Sequence, residues 1–280
     1  MGTGLKHMAI TNRNINKLTN KQLSIQLSLN GLSFCILQKD TNTISTLKVI
    51  DFDRKLNPIE LLDELKGLFN TETSLHEDFD SVCVIHDNEL STLVPKPLFN
   101  KDALADYLKF NSKILKSDYI TYDNVLLSDS VCVYIPYINI NNYLIDKFGA
   151  FTFKHISTVL IESILQLEKN AEVTKVYVNV SASHLEIIVI EKAKLIFYNT
   201  FEYITKEDFI YYILFTAEQL NLNPEVFNLV FVGDIDKDDE FYKITYRYVR
   251  HVTFGNRNDS FKFIENTKTN YSNFALIKSF

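Results

Sequence analysis

Apolar and polar positions alternate over Leu23–Leu27, cross a short polar turn at Ser28–Gly31, and resume as an apolar run over Leu32–Leu37. Alternation of this kind is the mark of a half-buried strand, and two such runs around a small polar turn predict a hairpin. The same arrangement returns further along. Val176–Ile190 reads Val-Tyr-Val-Asn-Val-Ser-Ala-Ser-His-Leu-Glu-Ile-Ile-Val-Ile and aligns without a gap with residues 23–37. A third strand is predicted after each hairpin, over Thr43–Ile50 and over Leu195–Tyr203.

The intervals between these units carry helical and strand patterns in turn. Pro58 opens an amphipathic helix over Pro58–Phe69, with Ile59, Leu62, Leu65 and Phe69 at helical spacing. A strand over Phe79–Ile85 leads through a turn at Asp87-Asn88 to a strand over Leu90–Val94, which Pro95 and Pro97 end. Asn100 caps a short helix over Lys101–Lys109. Strands over Tyr119–Leu127 and Val131–Pro136 form a second hairpin, and a helix over Asn141–Phe148 closes the first half at Gly149. The second half is predicted to begin with Phe151–Phe153 and a helix over Ser157–Glu168. After its hairpin unit, Thr205 and Asp208 form a variant capping box for a helix over Lys206–Leu220. That helix is apolar nearly all round, which predicts packing on two sides. A buried strand over Leu229–Val232, a helix over Asp239–Tyr248 and a strand over His251–Phe254 follow. Strands alternating with helices define an α/β fold. The expected organisation is an N-terminal tail over residues 1–20, a first domain over 21–149 and a related second domain over 150–280. The two domains would face each other across a cleft.

Composition narrows the function classes. The chain has 280 residues, enough to bury a large core. With only 7 glycines it is poorly supplied for cradling phosphate on backbone amides. A formal charge of −6, with no extended Lys/Arg run, argues against a nucleic-acid face. Cys35, Cys83 and Cys132 lie in apolar runs and form no Cys-x-x-Cys pair, so they read as buried thiols in a reducing compartment. No apolar segment reaches the length of a signal peptide or a membrane span, which predicts a cytoplasmic protein without membrane insertion.

Two meanders, each with a polar turn after its first strand, resemble the actin-like ATPase superfamily. That superfamily includes actin, the heat-shock chaperones, sugar kinases and the pilus-assembly protein PilM. The resemblance implies two duplicated RNase H-like domains with mixed sheets flanked by helices. It also implies that the two turns descend from phosphate loops, in which an Asp-x-Gly ends each first strand. Here those positions hold Gln26 and Ser28 in one half and Asn179 and Ser181 in the other. An amide cannot supply the charge that orients a metal-bound water, and serine places a side chain where backbone should meet phosphate. A further strand end, which resembles the Gly-Gly adenosine motif, reads Gly233-Asp234 and is followed by Asp236, Asp238, Asp239 and Glu240. The degenerate nucleotide-cleft positions are therefore Gln26, Ser28, Asn30, Gly31, Asn179, Ser181, Ser183, Gly233 and Asp234. More narrowly, residues 23–234 resemble an uncharacterised bacterial domain-of-unknown-function family of this fold. The features that carry this are the Leu27–Phe34 turn, the Leu93–Phe99 segment and Val133–Pro136.

The remaining constellations read as structural. Asp234-Ile-Asp236-Lys-Asp238 opens like a calcium loop but has Asp239 where glycine is required and Thr245 where glutamate is required. Ser181, Ser183 and His184 lie together, yet no acid is placed by the sequence to orient the histidine. Lys243, Arg247 and Arg250, interleaved with tyrosines, read as a solvated helix face. The expectation is a pseudo-ATPase scaffold that binds a protein partner or a second copy of itself, with no catalytic residues, no metal and no cofactor. ATP binding is doubtful. The alternative is a cleft that binds a nucleotide or other small molecule without hydrolysing it.

Overall fold

The computed structural model describes residues 19–110, 112–264 and 267–280. Most of the expected 1–20 tail lies outside the described residues. Thr19 and Asn20 are tied down: Thr19 donates to Asp80 from both its backbone N–H and its hydroxyl, and Asn20 accepts from the Lys39 N–H.

The first half starts with an antiparallel meander of β1 (Lys21–Ser28), β2 (Gly31–Gln38) and β3 (Thr43–Asp51). Helix α1 (Pro58–Thr71) follows, started by a full capping box in which Asn57 and Glu60 satisfy each other's backbone N–H groups. It buries Leu61, Leu65 and Phe69, while Ile59 faces solvent. Strand β4 (Ser81–Asp87) then lies parallel to β1. It runs two residues beyond the expected end, so His86 and Asp87 belong to the strand rather than to the turn. A separate three-stranded sheet comes next, built from β5 (Ser91–Pro95), β6 (Thr121–Asn124) and β7 (Ser130–Tyr134) in the order β5-β7-β6. The helix expected over 101–109 is a 3₁₀ turn followed by the short α2 (Leu104–Leu108). Strand β6 is shorter than expected because Leu126 and Leu127 face solvent and Leu127 turns with φ +62°. Helix α3 (Ile138–Phe148) ends at Gly149, whose φ of +75° suits a residue without Cβ. Strand β8 (Thr152–His155) pairs in parallel with β4, so this segment, expected to open the second half, is hydrogen-bonded into the first sheet.

Helix α4 (Ile156–Leu167) is apolar and lies between the halves. Its Leu160, Ile161 and Ile164 share a core with Ile85 of the first sheet and with side chains of the second. The second sheet repeats the first. Strands β9 (Lys175–Val180), β10 (His184–Glu191) and β11 (Lys194–Glu202) form the meander. Helix α5 (Lys206–Gln219) connects it to β12 (Asn228–Gly233), and α6 (Glu240–Tyr248) leads to β13 (His251–Phe254). The strand orders β3-β2-β1-β4-β8 and β11-β10-β9-β12-β13 are the same topology used twice. Helix α5 departs from expectation. It buries Phe209, Ile210 and Ile213 but leaves Tyr211 and Phe215 on an exposed face, so it is packed on one side.

The chain then returns to the first sheet. Strand β14 (Lys262–Phe263) adds to the free edge of β3, and α7 (Phe274–Lys278) buries Phe274 and Ala275 with α4. Leu276 of α7 packs with Cys35, Leu37 and Ile44 of the first half. This segment is anchored by Arg257, which is fully buried: Nε donates to Asp259 at 2.7 Å and Nη1 donates to the carbonyls of Thr269 and Ser272.

Candidate functional site

Both meanders point their first turns at the same place, where the two halves meet. Position by position the repeat is offset by 153 residues, and the related Asn30 and Ser183 touch: Asn30 Nδ2 donates to Ser183 Oγ at 2.5 Å. Each turn is also held internally. Ser28 Oγ accepts from the Asn30 N–H at 3.2 Å, the Ser181 N–H donates to the His184 carbonyl at 3.0 Å, and Tyr203 Oη donates to the Ser181 carbonyl at 2.6 Å. Ser28, Asn30 and Ser183 thus engage protein through their side chains, and Ser181 through its backbone.

The amides at the two loop positions behave alike. Gln26 Nε2 donates to Asp87 Oδ2 at 3.0 Å, and Asn179 Nδ2 donates to Glu186 Oε2 at 2.9 Å. In each half an amide stands where an aspartate is expected, and a neighbouring buried carboxylate accepts its hydrogen bond. His184 lies between those carboxylates. Its Nε2 is 3.2 Å from Glu186 Oε1 and 3.1 Å from Asp87 Oδ1. Burial alone would lower the imidazole pKa, but Asp87 and Glu186 outweigh it and hold His184 well above its usual range. Desolvation likewise opposes the charge on Asp87. The attraction of His184 and the Gln26 hydrogen bond overcome it, so the carboxyl sits below its usual range.

These three residues form a cluster that the sequence reading missed. An acid does face His184, contrary to expectation, and there are two of them. Glu186 follows His184 by two positions on β10, so both project from the same face, and a His-x-Glu pair on a strand is visible in sequence. Asp87 comes from β4 of the other half, and no local pattern links it to position 184.

All nine degenerate cleft positions line one cavity of about 430 Å³, together with Asp87 and His184. Gly233 has φ +88°, and a Cβ there would meet the Val180 carbonyl oxygen at 2.4 Å. Its missing side chain lets β12 pair closely with β9 at this position. Asp234 is exposed, with Lys268 as a distant partner at 3.9 Å. Gly31 is a milder case of the same kind, since a Cβ would lie 2.9 Å from the Ile50 carbonyl oxygen. In the acidic run, Asp239 Oδ2 accepts the Asp236 N–H at 2.6 Å, closing the turn before α6. Where the resemblance expects loop aspartates and glycines, the cleft presents the amides Gln26 and Asn179 and the hydroxyls of Ser28 and Ser181. The cysteines are unpaired, with Cys35 and Cys132 buried and Cys83 half-buried.

Two sheets that share one topology, β3-β2-β1-β4-β8 and β11-β10-β9-β12-β13, joined through a shared core with a cleft at their first turns, define an actin-like ATPase fold. Over residues 11–252 the sequence matches a family described as protein of unknown function, DUF3822, and the chain belongs to that family. A solved structure from Bacteroides thetaiotaomicron VPI-5482, described as having an actin-like ATPase fold and unknown function, superposes with a TM-score of 0.76 at 23% identity. The match covers 85% of this chain and 91% of that one. PilM in a PilM–PilN type IV pilus biogenesis complex superposes with a TM-score of 0.54 at 11% identity, over 86% of this chain and 90% of PilM. No curated protein matches the sequence. Among the described residues no helix is long and apolar enough to cross a membrane.

Proposed function

We propose that this protein is a non-catalytic scaffold, an actin-like fold that binds a protein partner or a second copy of itself in the cytoplasm and does not turn over ATP. One observation carries this reading. Gln26 and Asn179 stand at the loop positions of the catalytic aspartates, and each is committed to a buried carboxylate. A triphosphate entering the cleft would meet Asp87 and Asp234 along its lining. The structural neighbour PilM is described in complex with PilN, which favours a protein partner for this chain too. The test is ATP turnover with magnesium, compared with a denatured control. Turnover above that control, abolished by Asn179→Ala or Ser181→Ala, overturns the proposal. Affinity capture with the intact chain is expected to return one stoichiometric partner or the protein itself.

A second reading rests on the cavity. Its volume of about 430 Å³ lies within the range of small-molecule sites, and Gln26, Ser28, Asn30, Ser181 and Ser183 offer hydrogen bonds suited to an uncharged or sugar-like ligand. Thermal-shift measurements across sugars and nucleotides separate the two readings, since a ligand at a hundred times its dissociation constant adds ~2.7 kcal/mol of stability. Flat melting curves dispose of the second reading.

A further inference from the structure

Asp87, His184 and Glu186 are all buried and come from both halves of the molecule, and they converge on one point. One ligand atom from each lies within 4.8 Å of the others, and His184 Nε2 is 3.1 Å from Asp87 Oδ1 and 3.2 Å from Glu186 Oε1. The contacts around Nε2 are unequal. The ring nitrogen is hydrogen-bonded to Glu186 Oε1, whereas Asp87 Oδ1, only 3.1 Å away, has no hydrogen-bond partner among the described residues. One N–H cannot point at two oxygens, and a buried carboxylate oxygen without a donor is costly. The other oxygen of each carboxylate is taken, Asp87 Oδ2 by Gln26 and Glu186 Oε2 by Asn179. The two amides thus fix both carboxylates with their remaining oxygens turned to the imidazole.

We propose that Asp87, His184 and Glu186 form a binding site for one divalent transition cation, zinc foremost, held directly by the protein across the interface of its two halves. Ligands at about 2.1 Å from a common ion lie roughly 3.0–3.4 Å apart in octahedral or tetrahedral geometry. The Nε2–Oδ1 and Nε2–Oε1 separations of 3.1 and 3.2 Å match that spacing. One imidazole with two carboxylates suits zinc, manganese, iron(II) or cobalt(II), and the absence of sulfur disfavours copper(I). On coordination the ion would displace the Nε2 proton, which leaves to solvent, and the two carboxylates then balance the divalent charge. Gln26 and Asn179 act as positioning residues, the outer hydrogen bonds that orient metal-binding carboxylates. Asp87 and His184 line the cleft cavity, which gives the ion a route in. Because Asp87 ends β4 and the other two ligands lie on β10, the ion would clamp the halves together. The site is independent of nucleotide and requires no turnover, so it stands whether or not the scaffold reading does.

Cobalt(II) is the probe. Chelator-treated full-length protein is titrated with Co²⁺, following its visible absorption, and then with Zn²⁺ in competition. Expected are one Co²⁺ per chain, a spectrum without a thiolate charge-transfer band, displacement by Zn²⁺, and a higher thermal midpoint with metal. Glu186→Gln and His184→Asn should abolish saturable binding. Asn179→Ala keeps all three ligands and should weaken binding by about tenfold to a hundredfold. Lack of one-to-one binding by the wild-type protein overturns the proposal, and this measurement depends on no variant. So does a thiolate band, or binding that folded Glu186→Gln and His184→Asn proteins retain unchanged.

Discussion

Replacing Asn179 by aspartate restores the residue expected of a phosphate loop, and the structure says that the protein will not accept it quietly. Asn179 is buried, and its Nδ2 donates to Glu186 Oε2 at 2.9 Å. Asn179→Asp turns that donor into an acceptor and sets two carboxylates about 3 Å apart. Unrelieved, the repulsion is roughly 5 kcal/mol at an effective dielectric near 20. The lost hydrogen bond to a charged group adds about 1.5–3 kcal/mol. Sharing a proton between the carboxyls recovers part of this, so the expected net loss is about 3–5 kcal/mol at pH 8. For a chain of this size that lowers the thermal midpoint by on the order of 10 °C. The control is Asn179→Ala, which removes the donor without adding charge and should cost about 1–3 kcal/mol. Urea unfolding of the three proteins, confirmed by thermal melts, measures the repulsion as the difference between the variants. An Asn179→Asp protein as stable as wild type would refute the reasoning, because Glu186 would then not be the charged acceptor of the Asn179 amide.

Two further predictions follow from backbone and burial. Gly233→Ala forces a Cβ to 2.4 Å from the Val180 carbonyl oxygen at a residue with φ +88°, so a loss of at least about 3 kcal/mol is expected in chemical denaturation. His155 is fully buried as the neutral Nε2–H tautomer: Nδ1 accepts the Ser157 N–H at 3.2 Å, and Nε2 donates to the Asn88 carbonyl at 3.0 Å. Burial pulls its pKa down to about 4, and the repulsion of His184 adds to this while Asp87 and the Asn88 carbonyl oppose it. The unfolded chain therefore takes up a proton below pH 6.5 that the folded chain refuses until about pH 4. Stability falls as pH falls through that window, by about 3 kcal/mol from this residue. Titrating the unfolding free energy of wild type and His155→Asn between pH 7 and pH 4 checks the sign. The variant should lose less stability on acidification, and an unchanged slope would count against the buried neutral histidine.

What could be read from the sequence, and what could not, divides along a physical line. The meanders were legible because strand alternation is local and the turn between β1 and β2 has its counterpart 153 residues on, a separation the Asn30–Ser183 contact reproduces in space. Strand ends and the flank of α5 were less legible, since tertiary packing sets them. Tyr211 and Phe215 are as apolar in sequence as Phe209, yet only Phe209 meets the sheet. The cleft chemistry was half legible. The amides at 26 and 179 stand in view where the resemblance expects aspartates, but only the fold shows that each amide serves a carboxylate. The repeat also marks where the halves differ. Asp87 and Asp234 occupy related strand ends: Ser28 pairs with Asp87 across β1 and β4, and Asp234 follows Gly233, which pairs with Val180 across β9 and β12. One is buried against His184 and the other is exposed. At the positions related to His184 and Glu186 the first half has Gly31 and Ser33. Symmetry built the cleft, and the cluster breaks it. Folding alone would be served as well by small residues in both halves, so a buried imidazole facing one carboxylate from each half is where function should be sought.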